Sequence, residues 1–537
     1  MLKEDNLKQI YKLKKNPLFE KEILNLISKI KNNKTTENQL MKEKQMLSKK
    51  FNINFIIPNS LILEYNKDKN ILVTSVLLKK RIRSISGVVI LAVMVKPHKC
   101  PGKCIYCLDN KIAPKSYTGL EPATRRAIMF NFDPFLQTQN RLEQLKTIGH
   151  STEKIEIIIM GGNFLSMPKK YQIDFVKQIF DALNEVKSKT LDEAKEKNKT
   201  TKQRCVGLTI ETRPDFCSEQ DIKQMLYLGA TRVELGVQIL DDKTYIKINR
   251  GHTVDCVAKA TELLKNTGLK VVYHIMPGLG SEKKDIDSFK LLFNDERFFP
   301  DMLKIYPVLL MKGTQLHKLW EEGKYKELDQ ERAIKLISKF KKMVPEFVRI
   351  MRIQRDIPKE KIIKGVTAGN LRELVEKEMQ RKNIKCKCIR CREAGHHIYK
   401  KGLKENVERK IKLKIIKYKA SKGEEYFLSL VDKENILYGY LRLRIFNKKC
   451  NLFLDEITPT SAIIRELKVF GTSTPLSEDY KFSFQHKGLG KSLLKEAEKI
   501  TKKKNKNKLL VISAIGTKEY YKGFGFVEDG FFMSKKM

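Results

Sequence analysis

The stretch Gly87-Val-Val-Ile-Leu-Ala-Val-Met-Val-Lys-Pro-His-Lys-Cys100-Pro-Gly-Lys-Cys104-Ile-Tyr-Cys107 decides how this chain is read. An apolar run of the length of one buried strand leads directly into three cysteines spaced C-x3-C-x2-C. Three thiolates on one tight loop can hold three irons of a 4Fe-4S cluster and leave the fourth iron without a protein ligand. Such an open coordination position lets a metal centre act on a bound molecule. Two plainer readings stand beside it. One is a zinc knuckle completed by His98; the other is three unconnected core cysteines.

At 537 residues the chain exceeds what one core usually serves, so two or more domains are expected. The formal charge of +44 favours a polyanionic partner. Abundant Lys, Asn and Ile would also follow from an AT-rich genome, which leaves much of that charge simply solvated. The 10 cysteines fall in tight groups or singly, not in a disulfide framework, and cluster-binding thiols need a reducing compartment. The opening residues Met1-Leu-Lys-Glu-Asp-Asn6 lack the apolar core of a secretory signal, and Phe51–Leu63 is too short and broken for a membrane span. A cytoplasmic protein with no membrane partner is expected.

Four zones follow along the chain. Residues 1–79 are Lys- and Asn-rich, with Ile10, Leu13, Leu18, Ile23, Leu26 and Ile30 at helical spacing, which predicts small basic helices suited to RNA or merely solvated. Residues 80–380 alternate strand-like runs with helical patterns. The predicted strands are Val88–Val95, Ile155–Met160, Val206–Glu211, Arg232–Val237, Lys270–Met276 and Met302–Tyr306. Between them, helices are expected at Tyr171–Val186, Glu219–Leu228 and Val254–Asn266. Alternation of this kind predicts parallel strands in a partial or full β/α barrel, with the site at the carboxyl ends of the strands. Residues 381–410 form a basic connector containing Cys386, Cys388 and Cys391. Residues 411–537 turn β-rich, with strands at Tyr426–Val431, Ile436–Ile445, Ala462–Phe470 and Leu509–Ile512 around one helix, Gly490–Thr501.

That helix is preceded by Gln485-His-Lys-Gly-Leu-Gly490. Glycines there let the backbone pass close to a ligand, while N–H groups at the helix start face an anion. The pattern resembles the pyrophosphate loop of GNAT-type acetyltransferases, and the late Tyr520-Tyr521 and Gly523-Phe-Gly-Phe526 strengthen it. An ordinary turn with capping glycines is the alternative.

Taken together, the chain resembles the Elongator catalytic-subunit family of tRNA uridine 5-carboxymethylating acetyltransferases, a radical S-adenosylmethionine (SAM) barrel fused to a GNAT domain. The resemblance runs from about residue 80 to the end. It rests on Lys96-Pro-His with the cysteines, Ser116-Tyr-Thr-Gly-Leu-Glu-Pro122, Met160-Gly-Gly162, Thr209-Ile-Glu-Thr-Arg-Pro-Asp215 and Val233-Glu-Leu-Gly-Val-Gln238. Further matches are Asn249-Arg-Gly-His-Thr253, His274-Ile-Met-Pro277, Lys304-Ile-Tyr-Pro307, Gln354-Arg-Asp-Ile-Pro358, Gly369-Asn-Leu-Arg-Glu373 and Arg465-Glu-Leu-Lys-Val469. The short gap between Cys100 and Cys104 looks like the prokaryotic form. Leu108-Asp-Asn110, Asn163 and Leu489 depart from the family's Pro-Gly-Gly, Thr and Tyr.

The resemblance implies a two-domain α/β fold and a reaction in which a deoxyadenosyl radical takes hydrogen from the methyl of acetyl-coenzyme A. The carbon radical then adds to C5 of the wobble uridine (position 34) in a tRNA anticodon loop, and thioester hydrolysis leaves a carboxymethyl group. It assigns Cys100, Cys104 and Cys107 to the 4Fe-4S cluster, and Gly161, Gly162, Glu211 and Gln238 to SAM. Lys154, Glu466, Leu467, Lys468, Val469, Gln485, Gly488, Leu489, Gly490, Lys491 and Tyr521 are assigned to acetyl-coenzyme A. An electron donor is required; a homodimer and Elongator-like partner subunits both stay open.

Cys386, Cys388 and Cys391 read as a C-x-C-x2-C knot for a structural zinc, with His396 or His397 as candidate fourth ligands, or else as free thiols in a basic connector. Two rival functions remain. A protein lysine N-acetyltransferase would use the barrel only as a scaffold, and a non-catalytic tRNA-binding subunit would have lost its chemistry. The charge of +44 argues against a basic protein substrate, and the intact cysteines against decay.

Overall fold

In this computed structural model residues 4–32, 35–68, 70–78, 87–401, 410–470 and 488–537 are described. Two compact units are present, Met1–Val89 with Gln139–Thr152 and Ile90–Thr138 with Glu153–Met537.

In the first unit the expected basic helices form at Glu4–Lys14, Pro17–Asn32, Glu37–Lys50, Asn59–Glu64 and Ile71–Leu77. Leu13, Phe19, Ile23, Leu26, Ile27 and Ile30 supply an inner stripe at helical period, and Leu40, Leu47, Ile57, Leu61 and Ile62 pack against it. Leu18, expected inside, is 51% exposed; its neighbour Phe19 occupies the core-facing position instead. No helix among the described residues is long and apolar enough to cross a membrane.

Two seven-stranded sheets follow along the chain. The first is β1 (Val88–Met94), β2 (Lys154–Met160), β3 (Arg204–Thr212), β4 (Arg232–Gln238), β5 (Lys270–Ile275), β6 (Met302–Ile305) and β7 (Arg349–Ile353), paired in chain order. Strands β2 to β7 run parallel, and helices such as Lys169–Asn184 and Val254–Asn266 supply the crossovers of a partial β/α barrel. Six of these strands match the expectation and the seventh is additional. Loops after the strands converge at the carboxyl end, as parallel order dictates.

The second sheet contains β8 (Lys412–Ala420), β9 (Gly423–Val431), β10 (Leu437–Ile445), β11 (Ser461–Val469), β12 (Lys508–Val511), β13 (Val527–Asp529) and β14 (Phe532–Lys536). Its order is β13-β14-β12-β11-β10-β9-β8, antiparallel except where β11 meets β12. The helix Leu489–Lys503 packs on β10 and β11.

An ionic seam joins this sheet to the barrel. Arg442 and Arg444 on β10 and Arg465 on β11 are fully buried. Arg465 donates to Oδ1 of Asp301 at 2.8 Å and also to its Oδ2, Arg442 lies 3.5 Å from the same carboxylate, and Arg444 donates to Glu425 at 2.9 Å. Lys265, from the crossover helix, stands 3.6 Å from Asp301. Alternating Leu and Arg on β10 would suggest a solvated face; here that face meets the barrel.

Candidate active site

At the carboxyl end of the first sheet a cavity of about 290 Å³ is lined by Cys100, Cys104, Cys107, Gly161, Gly162, Glu211 and Gln238. Seven residues separated by up to 138 positions in the sequence thus share one space. Gly161 has φ +137, and a side chain there would overlap Val95, so only glycine allows the chain to turn out of β2 this closely. Gln238 ends β4 with φ +71, and Ser116 and Gln354, at +80 and +81, are similarly left-handed. Such backbone conformations cost about 1–3 kcal/mol each and cluster at ligand-holding sites.

One guanidinium meets a thiol directly and a second, Arg213, stands against Gly102 of the same loop. Arg250 donates from Nη1 to the Sγ of Cys104 at 3.3 Å. Hydrogen bonding with Cys107, helped by the Arg250 charge, pulls the Cys104 thiol down to about 4 against the effect of burial, while Cys107 is pushed up. Arg213 is held by Asp215 through 2.9 and 2.8 Å contacts and donates to the Arg250 carbonyl, yet its Nη1 and the Nε of Arg250 are buried without a partner. Clustered thiols beside unsatisfied guanidinium donors suit an anionic, thiolate-held group such as a 4Fe-4S cluster. His98, the alternative zinc ligand, instead turns Nε2 to the Asn163 carbonyl at 3.1 Å. The departures from the family pattern are absorbed locally. Asn163 accepts from Thr212 at 2.9 Å, and Asn110 caps the turn by accepting from Ile112 and Ala113.

Deeper in the cavity the carboxylates are engaged. Tyr117 donates to Glu211 at 3.0 Å, and Glu234 accepts from His274 at 2.7 Å and from Lys304. Sequence reasoning missed Arg213, Arg250, Tyr117 and Glu234 as site residues. Glu234 had a signal: Arg232, Glu234, Gly236 and Gln238 follow period two along β4, so they share its inward face.

The residues assigned to acetyl-coenzyme A collect elsewhere. Lys154 opens β2, opposite Arg204, and burial lowers its pKa. It therefore stands about 20 Å from the cluster end of its own strand. The turn Ile515–Thr517 of the second sheet packs on β3 beside it, at Arg204 and Cys205. Glu466, Leu467, Lys468 and Val469 form the end of β11, with the Glu466 carboxylate bound by Arg442 at 2.9 Å. Gly488, at φ +74, caps the helix that begins Leu489-Gly490-Lys491. Gln485 lies outside the described residues. Tyr521 is buried; its neighbour Tyr520, 45% exposed, puts its hydroxyl 2.7 Å from where a Gly490 Cβ would be. Tyr520 thus stands against Gly490 while Tyr521 turns to the buried side of the same short helix, a distinction that adjacency in sequence hides.

Cys386, Cys388 and Cys391 bring their sulfurs within 4.8 Å of one another. Tetrahedral zinc with bonds of about 2.3 Å needs sulfurs about 3.8 Å apart, so the donor set fits a single ion. Hydrogen bonds from Cys386 and Cys391 hold Cys388 well below the usual thiol range. Neither histidine candidate joins this group: His397 faces the Cys391 carbonyl at 3.1 Å and His396 lies 3.5 Å from Glu393.

Known proteins share both halves. The radical SAM superfamily matches residues 94–292, the Radical_SAM C-terminal domain residues 300–381, and the acetyltransferase (GNAT) domain residues 481–534. The chain is 50% identical over 492 residues to the tRNA uridine(34) acetyltransferase of Methanocaldococcus infernus, covering 89% of this chain and 91% of that protein. It is 42% identical over 474 residues to Elongator complex protein 3 of Schizosaccharomyces pombe, covering 85% and 86% respectively. The solved archaeal Methanocaldococcus infernus Elp3 with an N-terminal deletion (1–46) superposes with a TM-score of 0.75 at 46% identity, covering 84% of this chain and 100% of that one.

Proposed function

We propose that this chain, which belongs to the family of tRNA uridine(34) acetyltransferases and Elongator complex protein 3, installs a carboxymethyl group at C5 of the wobble uridine of tRNA, with acetyl-coenzyme A as carbon donor. One observation carries the reading: a thiol- and arginine-lined cavity and a glycine-capped anion turn occur in a single compact unit. Cys100, Cys104 and Cys107 would hold a 4Fe-4S cluster. When bound, a cluster with one open iron supplies the electron that splits SAM. Arg213 and Arg250 offset the charge of the thiolates. Gly162 brings bare backbone to the cavity, where Glu211 and Gln238 orient the rest of the cofactor.

At the other end, Lys154 and the amide groups of Gly488 to Lys491 would bind the diphosphate of the acyl donor, with the Glu466–Val469 strand along its arm. The basic helices of residues 1–79 would hold tRNA phosphates, and Cys386, Cys388 and Cys391 a structural zinc. An electron donor is a necessary partner, and the reduced thiols require a reducing, cytoplasmic setting.

The test is anaerobic reconstitution with iron and sulfide, then reaction with SAM, tRNA and acetyl-coenzyme A labelled at the methyl carbon. Mass spectrometry of the nucleosides should find the label at C5 of uridine. Label on lysine side chains, formed without SAM or tRNA, would make the chain a protein acetyltransferase.

A further inference from the structure

A histidine in the cavity is oriented by a carboxylate and left with one nitrogen uncommitted. His274, near the end of β5, shares its Nε2 with Oε2 of Glu234 at 2.7 Å. Charge fixes the direction of that bond. Glu234 is 1% exposed, and although burial would raise its pKa, Lys304 and then His274 outweigh burial and hold it far below the usual range. An ionised carboxylate only accepts, so Nε2 donates, and in the Nε2–H tautomer the lone pair sits on Nδ1. No described residue is hydrogen-bonded to Nδ1, and the side chain is 17% exposed within the cavity that the three cluster cysteines line. Tyr306 packs edge-on at 5.4 Å and fixes the ring plane; Lys304 grips Glu234 from behind.

Four other basic groups of the cavity have partners. Glu211 accepts from Tyr117, Glu121 from Thr118 and Thr124, Asp356 pairs with Arg352, and His98 faces a carbonyl.

We propose that His274 is the catalytic base that removes the proton from C5 of the target uridine, with Glu234 as the residue that positions it. The assignment rests on the function proposed above. Replacing C5–H by a C5–C bond needs such a base. Addition of the carbon radical to C5 leaves an unpaired electron on C6. The C5–H bond then breaks and its proton goes to Nδ1. Of the three electrons involved, two form the C5=C6 double bond and one leaves to a one-electron acceptor, a role that an oxidised iron–sulfur cluster would fill. A positioned general base contributes about 10²–10⁴-fold to a proton transfer.

The experiment uses the full-length reconstituted enzyme with His274→Gln, His274→Asn and Glu234→Gln. Its readout is the ratio of 5′-deoxyadenosine released to modified uridine formed, in which any loss of folded protein cancels. The ratio should rise about 100-fold in the His274 variants and about 10-fold in Glu234→Gln. With deuterium at uridine C5, the isotope effect should be larger in Glu234→Gln than in wild type, because proton removal becomes slower. Nitrogen-15 spectra of the unreconstituted chain give a readout independent of turnover: His274 should be the Nε2–H tautomer, and Glu234→Gln should admit the other.

An unchanged ratio in His274→Gln, with wild type forming product, would overturn the assignment, as would an Nδ1–H tautomer in wild type. If wild type forms no modified uridine while cleaving SAM, the proposed function fails and the base assignment falls with it.

Discussion

Asp285 offers a numerical test of how the loop after β5 is held. Its carboxyl accepts the Gly278 N–H at 2.8 Å, is 5% exposed, and is pushed up by burial to about 7 from 3.8. Gly278 lies just beyond His274 and Met276, which line the cavity. The folded state therefore keeps a proton that the unfolded chain releases. Below pH 3.8 both states are protonated and the group has no effect; between 3.8 and about 7 stability falls as pH rises; above about 7 the loss is constant. The difference between about 7 and 3.8, at about 1.36 kcal/mol per unit, amounts to about 4 kcal/mol. Asp285→Asn keeps an oxygen for Gly278 but cannot ionise. Urea denaturation at pH 4 and pH 8 should show variant minus wild type growing by up to about 4 kcal/mol in the variant's favour at the higher pH. Any fixed effect of the amide cancels between the two conditions. A difference that does not change with pH, or that shrinks as pH rises, would refute the argument.

Cys104→Ala should abolish the iron–sulfur absorbance and 5′-deoxyadenosine formation while tRNA binding, measured by filter retention, persists. Affinity for tRNA should fall linearly on a log–log plot against salt. Replacing the exposed Lys12, Lys14 and Lys15 by Ala should weaken different tRNAs alike, with Lys14 contributing least because Glu64 already pairs with it at 2.5 Å. Gly490→Asp should lower acetyl-coenzyme A affinity at least tenfold by calorimetry, since it adds an anion at a helix N-terminus and crowds Tyr520. Asp301→Ala should destabilise the protein by about 3–5 kcal/mol, because Arg465 and Arg442 would lose a buried counter-ion.

Much of this was legible before any coordinates. Period and punctuation located β1 to β6, and cysteine spacing located both thiol groups. What escaped depended on partners distant in sequence. β7 reads Arg349-Ile-Met-Arg-Ile353, whose charges look solvated until Glu393 meets Arg349 and the cavity receives Arg352. β8, an edge strand with Lys412, Lys414, Lys417 and Lys419, resembles an exposed basic tract for the same reason. Arg213 and Arg250 lie 37 positions apart and come together in the thiol-lined cavity only through the order of the sheet. Neither spacing nor composition separates Tyr520 from Tyr521; the direction of the short helix Lys518–Lys522 does.

The ionic seam between the sheets bears on how such a protein can evolve. Two domains joined through leucines can be parted and each half patched by a few polar substitutions. Here the acetyltransferase-like half, taken alone, would carry Arg442 and Arg465 to its surface without Asp301, and the barrel would keep Asp301 and Lys265 without their arginines. Glu466 and Glu425 would stay with the arginines, but the Asp301 charge would not. Exchange of one half for a homologous module therefore calls for a matching set of charges across the seam, a constraint on the pair and not on either half alone.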